Sequence, residues 1–341
     1  MITGIDKKKQ RLNNKNKGAR MDIYNRSQVK QAQGKIDKSD PRYPLYEELL
    51  KTPPHKDLAP VTSELLLKLE KLKAKYPNFE QVTEEIICSL LLAFIGISKV
   101  LKTPPILLHG PAGIGKTRYL NDVAACFNVG SVKQIDMASA SGGFIIGGHS
   151  TQWKDGRQGM VTKHLQESHY GNPILVLDEI DKVADNGHNP SGSLYNLLER
   201  HTAEKFIDEA LELPMNCAHI IWFATANSLD KIPNPIKSRF EIYHVELPNE
   251  QQMKGVVNSI YSELLANNDW GGAFNVSLAS AVINELKSYS PREIHRALWK
   301  ACARAVQRGK YFIGKREQLI DLMPMDFEKN QEKSKKAIGF Y

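Results

Sequence analysis

The residues Gly110-Pro111-Ala112-Gly113-Ile114-Gly115-Lys116-Thr117 fit the spacing G-x-x-x-x-G-K-[ST]. Glycines at those points let backbone N–H groups curl around phosphate oxygens with no Cβ in the way. The run directly follows an apolar stretch, PILLH at 105–109, and opens a helical pattern at 116–127, so a helix N-terminus adds its positive dipole end. In that setting Lys116 is placed to reach the β- and γ-phosphates of a nucleoside triphosphate, and the Thr117 hydroxyl to ligate Mg²⁺. The chemistry implied is phosphoryl binding or transfer.

Two further apolar runs end in groups suited to the same chemistry, and two arginines elsewhere could join them. Ile174-Leu175-Val176-Leu177 delivers Asp178 and Glu179 to a strand's C-terminal end, where sites in open α/β sheets lie. Asp178 is placed for the Mg²⁺ shell and Glu179 to orient or activate an attacking water; the plain alternative is a solvated acidic strand end. Ile221 to Ala226 leads to Asn227, able to hydrogen-bond a γ-phosphate and the lytic water, or simply to cap a turn. Arg239, in Lys237-Ser238-Arg239-Phe240, precedes the last strand and is able to stabilise charge on a transferring phosphate; a surface ion pair is the alternative. Arg292, in Ser290-Pro291-Arg292-Glu293, sits on the first turn of a helix that Pro291 begins.

The elements that must position these groups follow from patterning. Short apolar runs at 105–109, 132–137, 173–178, 219–225 and 241–246 alternate with helical patterns such as 116–127 and 193–201. Continuous apolar strands between helices predict an α/β fold, a parallel sheet covered on both faces. From about residue 248 strands give way to helical patterns at 249–266, 277–288, 291–308 and 315–322, a small all-helical domain. The expected organisation is a basic, disordered tail over 1–40, a Pro-rich linker and helix over 41–81, the nucleotide-binding α/β domain over 82–247, a helical lid domain over 248–325 and a polar tail over 326–341.

Composition excludes little and locates much. The net charge is +8, and residues 1–40 hold eleven Lys or Arg against four Asp, a net +7. The body is therefore nearly neutral, and contact with nucleic acid would fall to the tail. The four cysteines lie far apart with no CxxC pair, which argues against a disulfide framework or zinc site and fits a reducing cytoplasm. No apolar run follows the early lysines as in a secretory signal. Ile86 to Leu101 is mostly apolar but shorter than the ~20 residues a membrane span needs, and reads as a buried helix.

With these signals in this order, the chain resembles an AAA+ ATPase and, more narrowly, the ATPase module of the Lon protease family. The resemblance runs from about Val82 to Met323 and is carried by GGHSTQWKDGRQGMV (147–161), NPILVLDEIDKV (172–183), FATANSLDKIPNPIKSRFEI (223–242) and SPREIHRALWKACARAV (290–306). It implies a P-loop fold with a helical lid, ATP and Mg²⁺ as ligands, Asn227 as sensor 1, Arg239 as an arginine finger acting on a neighbouring subunit, and Arg292 as sensor 2. A finger acting in trans implies a homo-oligomeric ring, in this family usually a hexamer. Trp153 stands where the family carries the pore-loop aromatic that grips an extended polypeptide; burial as a loop anchor is the alternative. The family's serine–lysine proteolytic domain would begin after the helical domain, where 18 residues follow Met323, so no peptidase activity is expected from this chain, and a separately encoded partner is an open option. The expected function is an ATP-driven ring motor that remodels or threads protein, with a nucleic-acid-directed ATPase using residues 1–40 as the alternative.

Overall fold

The computed structural model describes residues 19–130, 132–139, 144–151, 156–182, 191–309 and 319–327, which group into two compact units. The first takes in the chain up to Leu72, Phe79–Gly110 and Lys116–Val245; the second comprises Lys73–Asn78, Pro111–Gly115 and the chain from Glu246 onward.

In chain order the first unit contains β1 (Arg20–Asp22), α1 (Arg26–Gln33), α2 (Tyr43–Lys51), β2 (His55–Asp57), α3 (Ser63–Lys75, whose last turn falls in the second unit), α4 (Glu80–Ile95), β3 (Ile106–His109), α5 (Lys116–Phe127) and β4 (Val132–Asp136). There follow α6 (Phe144–Gly147), α7 (Met160–Glu167), β5 (Ile174–Asp178), α8 (Ser191–Leu197), α9 (Arg200–Ala203), β6 (Phe206–Ile207), β7 (Pro214–Met215), β8 (Ile221–Ala226), α10 (Asn234–Lys237) and β9 (Glu241–His244). Five strands form one parallel sheet in the order β4-β5-β8-β3-β9. β5 and β8 lie at its centre, and all six residues of β8 are buried, as a continuous apolar run between two helical layers requires. The order sets the ends of β5, β8 and β3 side by side, with Leu177 opposite Ala224 and His109 opposite Ala226. Asp178, Asn227 and the start of the P-loop thereby share one edge.

The N-terminal segment departs from the disordered tail expected over 1–40. Residues from Ala19 onward are folded: β1 pairs antiparallel with β2, and Asn25 caps α1 by accepting from the Ser27 amide at 2.9 Å. Ile23, Tyr24 and Val29 are buried in the core shared with the sheet. The Tyr24 hydroxyl donates to Leu49 O at 2.6 Å, and the Ile23 carbonyl accepts from Asn216 N at 2.8 Å. A mostly polar segment is thus held by a few apolar anchors. Further on, Asn172 is fully buried; its carboxamide accepts from Ala59 N at 2.8 Å and donates to Leu101 O at 2.9 Å, tying the segment before α3 to that before β3.

The helix at 86–101 also differs from its reading. It begins earlier and ends at Ile95; Ile86, Ile87 and Leu90 are buried, whereas Leu92 and Ile97 are 73% and 97% exposed. Only one face is covered, because the apolar run outlasts the part of the helix that packs. Among the described residues no helix is long and apolar enough to cross a membrane.

The second unit packs α11 (Glu250–Ala266), α12 (Ser280–Leu286) and α13 (Pro291–Arg308) around Val257, Leu264, Val282, Ile294 and Leu298. Both long helices start with a reciprocal cap. Asn249 and Gln252 form one on α11, and Ser290 and Glu293 form the other on α13, where Pro291 fills a position whose N–H would have no helical partner. Of the helix expected at 315–322, residues 315–318 lie outside the described residues, and 319–322 are not helical, Ile320 forming a bridge with Phe274. The buried Asp326 carboxylate accepts from Arg308 Nε at 2.9 Å and so closes the end of α13.

Candidate nucleotide site

Lys116 opens α5, and its side chain turns inward rather than to solvent: Nζ donates to Gly110 O at 2.8 Å and to Asn227 Oδ1 at 3.0 Å. Burial holds the ammonium pKa below its ordinary value, and the carboxylates of Asp181, Asp178 and Glu179 oppose that shift. One residue on, the Thr117 hydroxyl donates to Asp178 Oδ1 at 2.7 Å. The same oxygen accepts from the Thr225 hydroxyl at 2.5 Å, while Gln134 Nε2 on β4 donates to Oδ2 at 2.9 Å. Asp178 is held from three elements, a geometry that a solvated strand end does not have.

Glu179 carries a left-handed backbone, φ +54°, which costs a non-glycine residue on the order of 1 kcal/mol or more. Its amide donates to Thr225 Oγ1 at 3.0 Å. Thr225, buried mid-sheet in β8, therefore touches both acids at once, donating to one side chain and accepting from the other's backbone.

Asp181 adds a third carboxyl group to the site. It is buried; Oδ2 accepts from the Ser228 amide at 3.2 Å, and Oδ1 has no hydrogen-bond partner among the described residues. Thr117 Oγ1 and Asp178 Oδ1 are hard oxygen donors side by side, with buried negative charge behind them, and this set fits Mg²⁺. Beside the P-loop strand, His109 and His244 face each other across β3 and β9 with their Nδ1 atoms 3.4 Å apart. Burial first, then His244 and Lys116, keep the His109 pKa below its ordinary value.

The loop 111–115 groups with the second unit, as does Arg292. Gly113 and Gly115 adopt φ of +81° and +98°, where a side chain would be strained. A Cβ placed on Gly113 would lie 3.7 Å from Arg292 Cβ, so α13 begins against the loop. Arg239 is not gathered with the acids; it follows α10 and pairs with Glu199 at 2.5 Å. Trp153 lies outside the described residues. The chain on either side of it is joined, since His149 and Arg157 exchange backbone hydrogen bonds of 2.8 and 3.1 Å. The buried Asp208 accepts from Gly159 N at 2.8 Å and from the Thr162 hydroxyl at 2.5 Å, and the neighbouring Glu209 amide donates to Gly147 O at 2.9 Å.

Sequence reasoning singled out Lys116, Thr117, Asp178, Glu179 and Asn227, and the sheet order brings all five to one edge. It passed over Gln134, Asp181, Thr225 and Glu199. Only Asp181 had a local signal, a third acid in the run DEID, and its burial came from the tertiary fold.

Residues 106–247 match the family model of the ATPase family associated with various cellular activities (AAA). The fold is that of an AAA+ P-loop ATPase. The chain is similar to the Lon protease of Amoebophilus asiaticus, 31% identical over 189 residues, 54% of this chain and 22% of that protein. It is similar also to the Lon protease of Clostridioides difficile, 27% identical over 253 residues, 71% of this chain and 32% of that one. Lon protease 2 of Borreliella burgdorferi is 32% identical over 176 residues, 51% and 22% of the two chains. The matches thus span 22–32% of these relatives' length. Among solved structures, a closed state of Hsp104 with ATPγS and FITC casein superimposes with a TM-score of 0.56 at 12% identity, covering 73% of this chain and 48% of that one.

Proposed function

We propose that this AAA+ chain hydrolyses ATP and, assembled as a ring, uses the energy to remodel or thread polypeptide. The observation that carries the reading is the joint placement of Lys116, Asn227, Thr117 and Asp178 at one sheet edge, with Glu179 held in a fixed backbone geometry beside them. Lys116 exchanges its present acceptors, Gly110 O and Asn227 Oδ1, for oxygens of the β- and γ-phosphates, which are better partners for a desolvated ammonium. Asn227 is then available to orient the attacking water. Glu179 takes a proton from that water as its oxygen bonds to the γ-phosphorus, and the bond to the β–γ bridging oxygen breaks to leave ADP and phosphate. Thr117 and Asp178 would hold Mg²⁺, which supplies charge neutralisation on the phosphates.

Arg239 is assigned as the finger that stabilises the transferring phosphate in a neighbouring subunit, where such a group supplies about 10³–10⁵ in rate. Arg292 is assigned to sense the nucleotide at the P-loop, and Trp153 to grip substrate. The similarity of the matched segment to Lon proteases supports polypeptide as the substrate.

The test is steady-state ATPase rate with and without an unfolded protein such as casein, and with and without DNA across a salt series. Stimulation by casein that disappears in Trp153→Ala, with Glu179→Gln binding ATP but not turning it over, is the expected result. Stimulation by DNA alone, fading with salt and with removal of residues 1–18, would replace the polypeptide reading with a nucleic-acid one.

A further inference from the structure

The fold grips Arg239 on several sides. Its Nη2 lies 2.5 Å from Glu199 Oε1, its Nη1 donates to the Pro235 carbonyl, and its guanidinium carbon stands 5.5 Å from the centroid of the Tyr195 ring. The Arg239 side chain is 20% exposed, and its Nε is buried without a hydrogen-bond partner among the described residues. Glu199 itself is fixed. Its carbonyl accepts from the Ala203 amide at 2.9 Å and from the Thr202 hydroxyl at 3.0 Å, and its second carboxylate oxygen faces His201 Nδ1 at 3.6 Å. Leu198 and Phe240, the chain neighbours of the pair, are buried in the same core cluster.

We propose that Glu199 is a positioning residue for the finger, holding the Arg239 guanidinium in the orientation in which it meets a neighbouring subunit's nucleotide. The inference rests on the ring reading given above. A guanidinium stays protonated without help, so the carboxylate is not needed for its charge. What a flexible side chain lacks is direction, and freezing its rotamers during each turnover would slow the chemical step. Glu199, Pro235 O and Tyr195 freeze them beforehand. Each Nη has two N–H groups and spends one on Glu199 or Pro235, which leaves one on each for phosphate oxygens. A surface ion pair kept only for stability would have no reason to bury Nε unpaired, since that donor costs free energy.

The experiment is ATPase kinetics of Glu199→Ala and Glu199→Gln in the full chain, with Arg239→Ala as reference. Glu199→Ala should lower kcat about thirty-fold, equivalent to about 2 kcal/mol at 1.36 kcal/mol per decade, with KM for ATP unchanged. Glu199→Gln, which keeps an acceptor oxygen, should lose less. Adding Glu179→Gln subunits, whose own finger is intact, to Glu199→Ala subunits should raise turnover, because the defect lies in the finger offered to a neighbour. Rescue in mixed rings excludes a folding defect, which would stay within the altered subunit. If Arg239→Ala is inactive while Glu199→Ala turns over at or above the wild-type rate, the positioning role is wrong and the ring reading stands. If Arg239→Ala keeps full turnover, the ring reading itself fails. A loss in Glu199→Ala that mixing does not restore also overturns the proposal.

Discussion

Thr225 offers the sharpest test of how the acid pair is held. Replacing it with Val keeps the β-branched shape that β8 requires and removes one oxygen. That oxygen donates to Asp178 Oδ1 at 2.5 Å and accepts from the Glu179 amide at 3.0 Å. The first is a charge-assisted bond, worth about 1.5–3 kcal/mol net, and the second leaves a partly buried N–H unpaired at about 1 kcal/mol. Thr225 is only 2% exposed, so water cannot take the hydroxyl's place. The sum is about 2.5–4 kcal/mol of stability, which for a domain of this size lowers Tm by about 5–15 °C. Turnover should fall as well, because the hydrogen bond donated by the Glu179 amide to Thr225 helps to hold the left-handed backbone of Glu179; once released, the carboxylate drifts, and a 1 Å displacement of a catalytic group costs about a hundredfold. The assay pairs a urea melt with ATPase kinetics on Thr225→Val and Thr225→Ser, the serine retaining the oxygen and nearly all the rate. A Val variant within 0.5 kcal/mol of wild type and with full kcat would refute the reasoning.

Two further outcomes follow from titratable groups whose pKa burial shifts, Asp208 being buried and His109 partly so. Asp208 accepts four hydrogen bonds, from Gly159 N, the Thr162 hydroxyl, Ala210 N and Leu211 N, while burial works to raise its pKa. Asp208→Ala strands those donors and should cost about 3–5 kcal/mol in an equilibrium melt, with Asp208→Asn intermediate because its NH₂ opposes some of the same donors; an unchanged midpoint in the alanine variant would contradict the network. His109 binds protons less readily folded than unfolded, so stability should be flat above its ordinary pKa of about 6.5 and decline as pH drops below it. His109→Asn should shallow that decline in Tm measured from pH 8 to 5, leaving a residual slope from His219, whose pKa burial also lowers; an identical slope in the variant would show that His109 does not contribute.

Much of the fold was legible in the chain because it is written in local patterns. Strands expected at 105–109, 173–178 and 219–225 lie at 106–109, 174–178 and 221–226, since three to six consecutive buried residues leave little choice of conformation. The helix at 291–308 has the expected bounds because Ser290, Pro291 and Glu293 encode its start. The P-loop was likewise legible, its glycines and lysine being adjacent in sequence. The N-terminal segment was not. Its composition reads as a solvated tail, and Ile23, Tyr24 and Val29 are too few to form a pattern; only the surface offered by α2 and the β6–β7 region shows where they pack.

The sequence alone therefore determined the strands of the main sheet, the long helices of the second unit, the phosphate-binding loop and the acids at the end of β5, each a property of neighbouring residues. Tertiary structure alone decided which side chains meet. The sheet order sets Asn227 against Lys116 across 111 positions and Thr225 against Asp178 across 47. It also buries Asp181 and sets Glu199 on Arg239, 40 residues further along the chain. A hydrogen bond acts over about 3 Å of space, and no local pattern records which distant residue will stand at that distance.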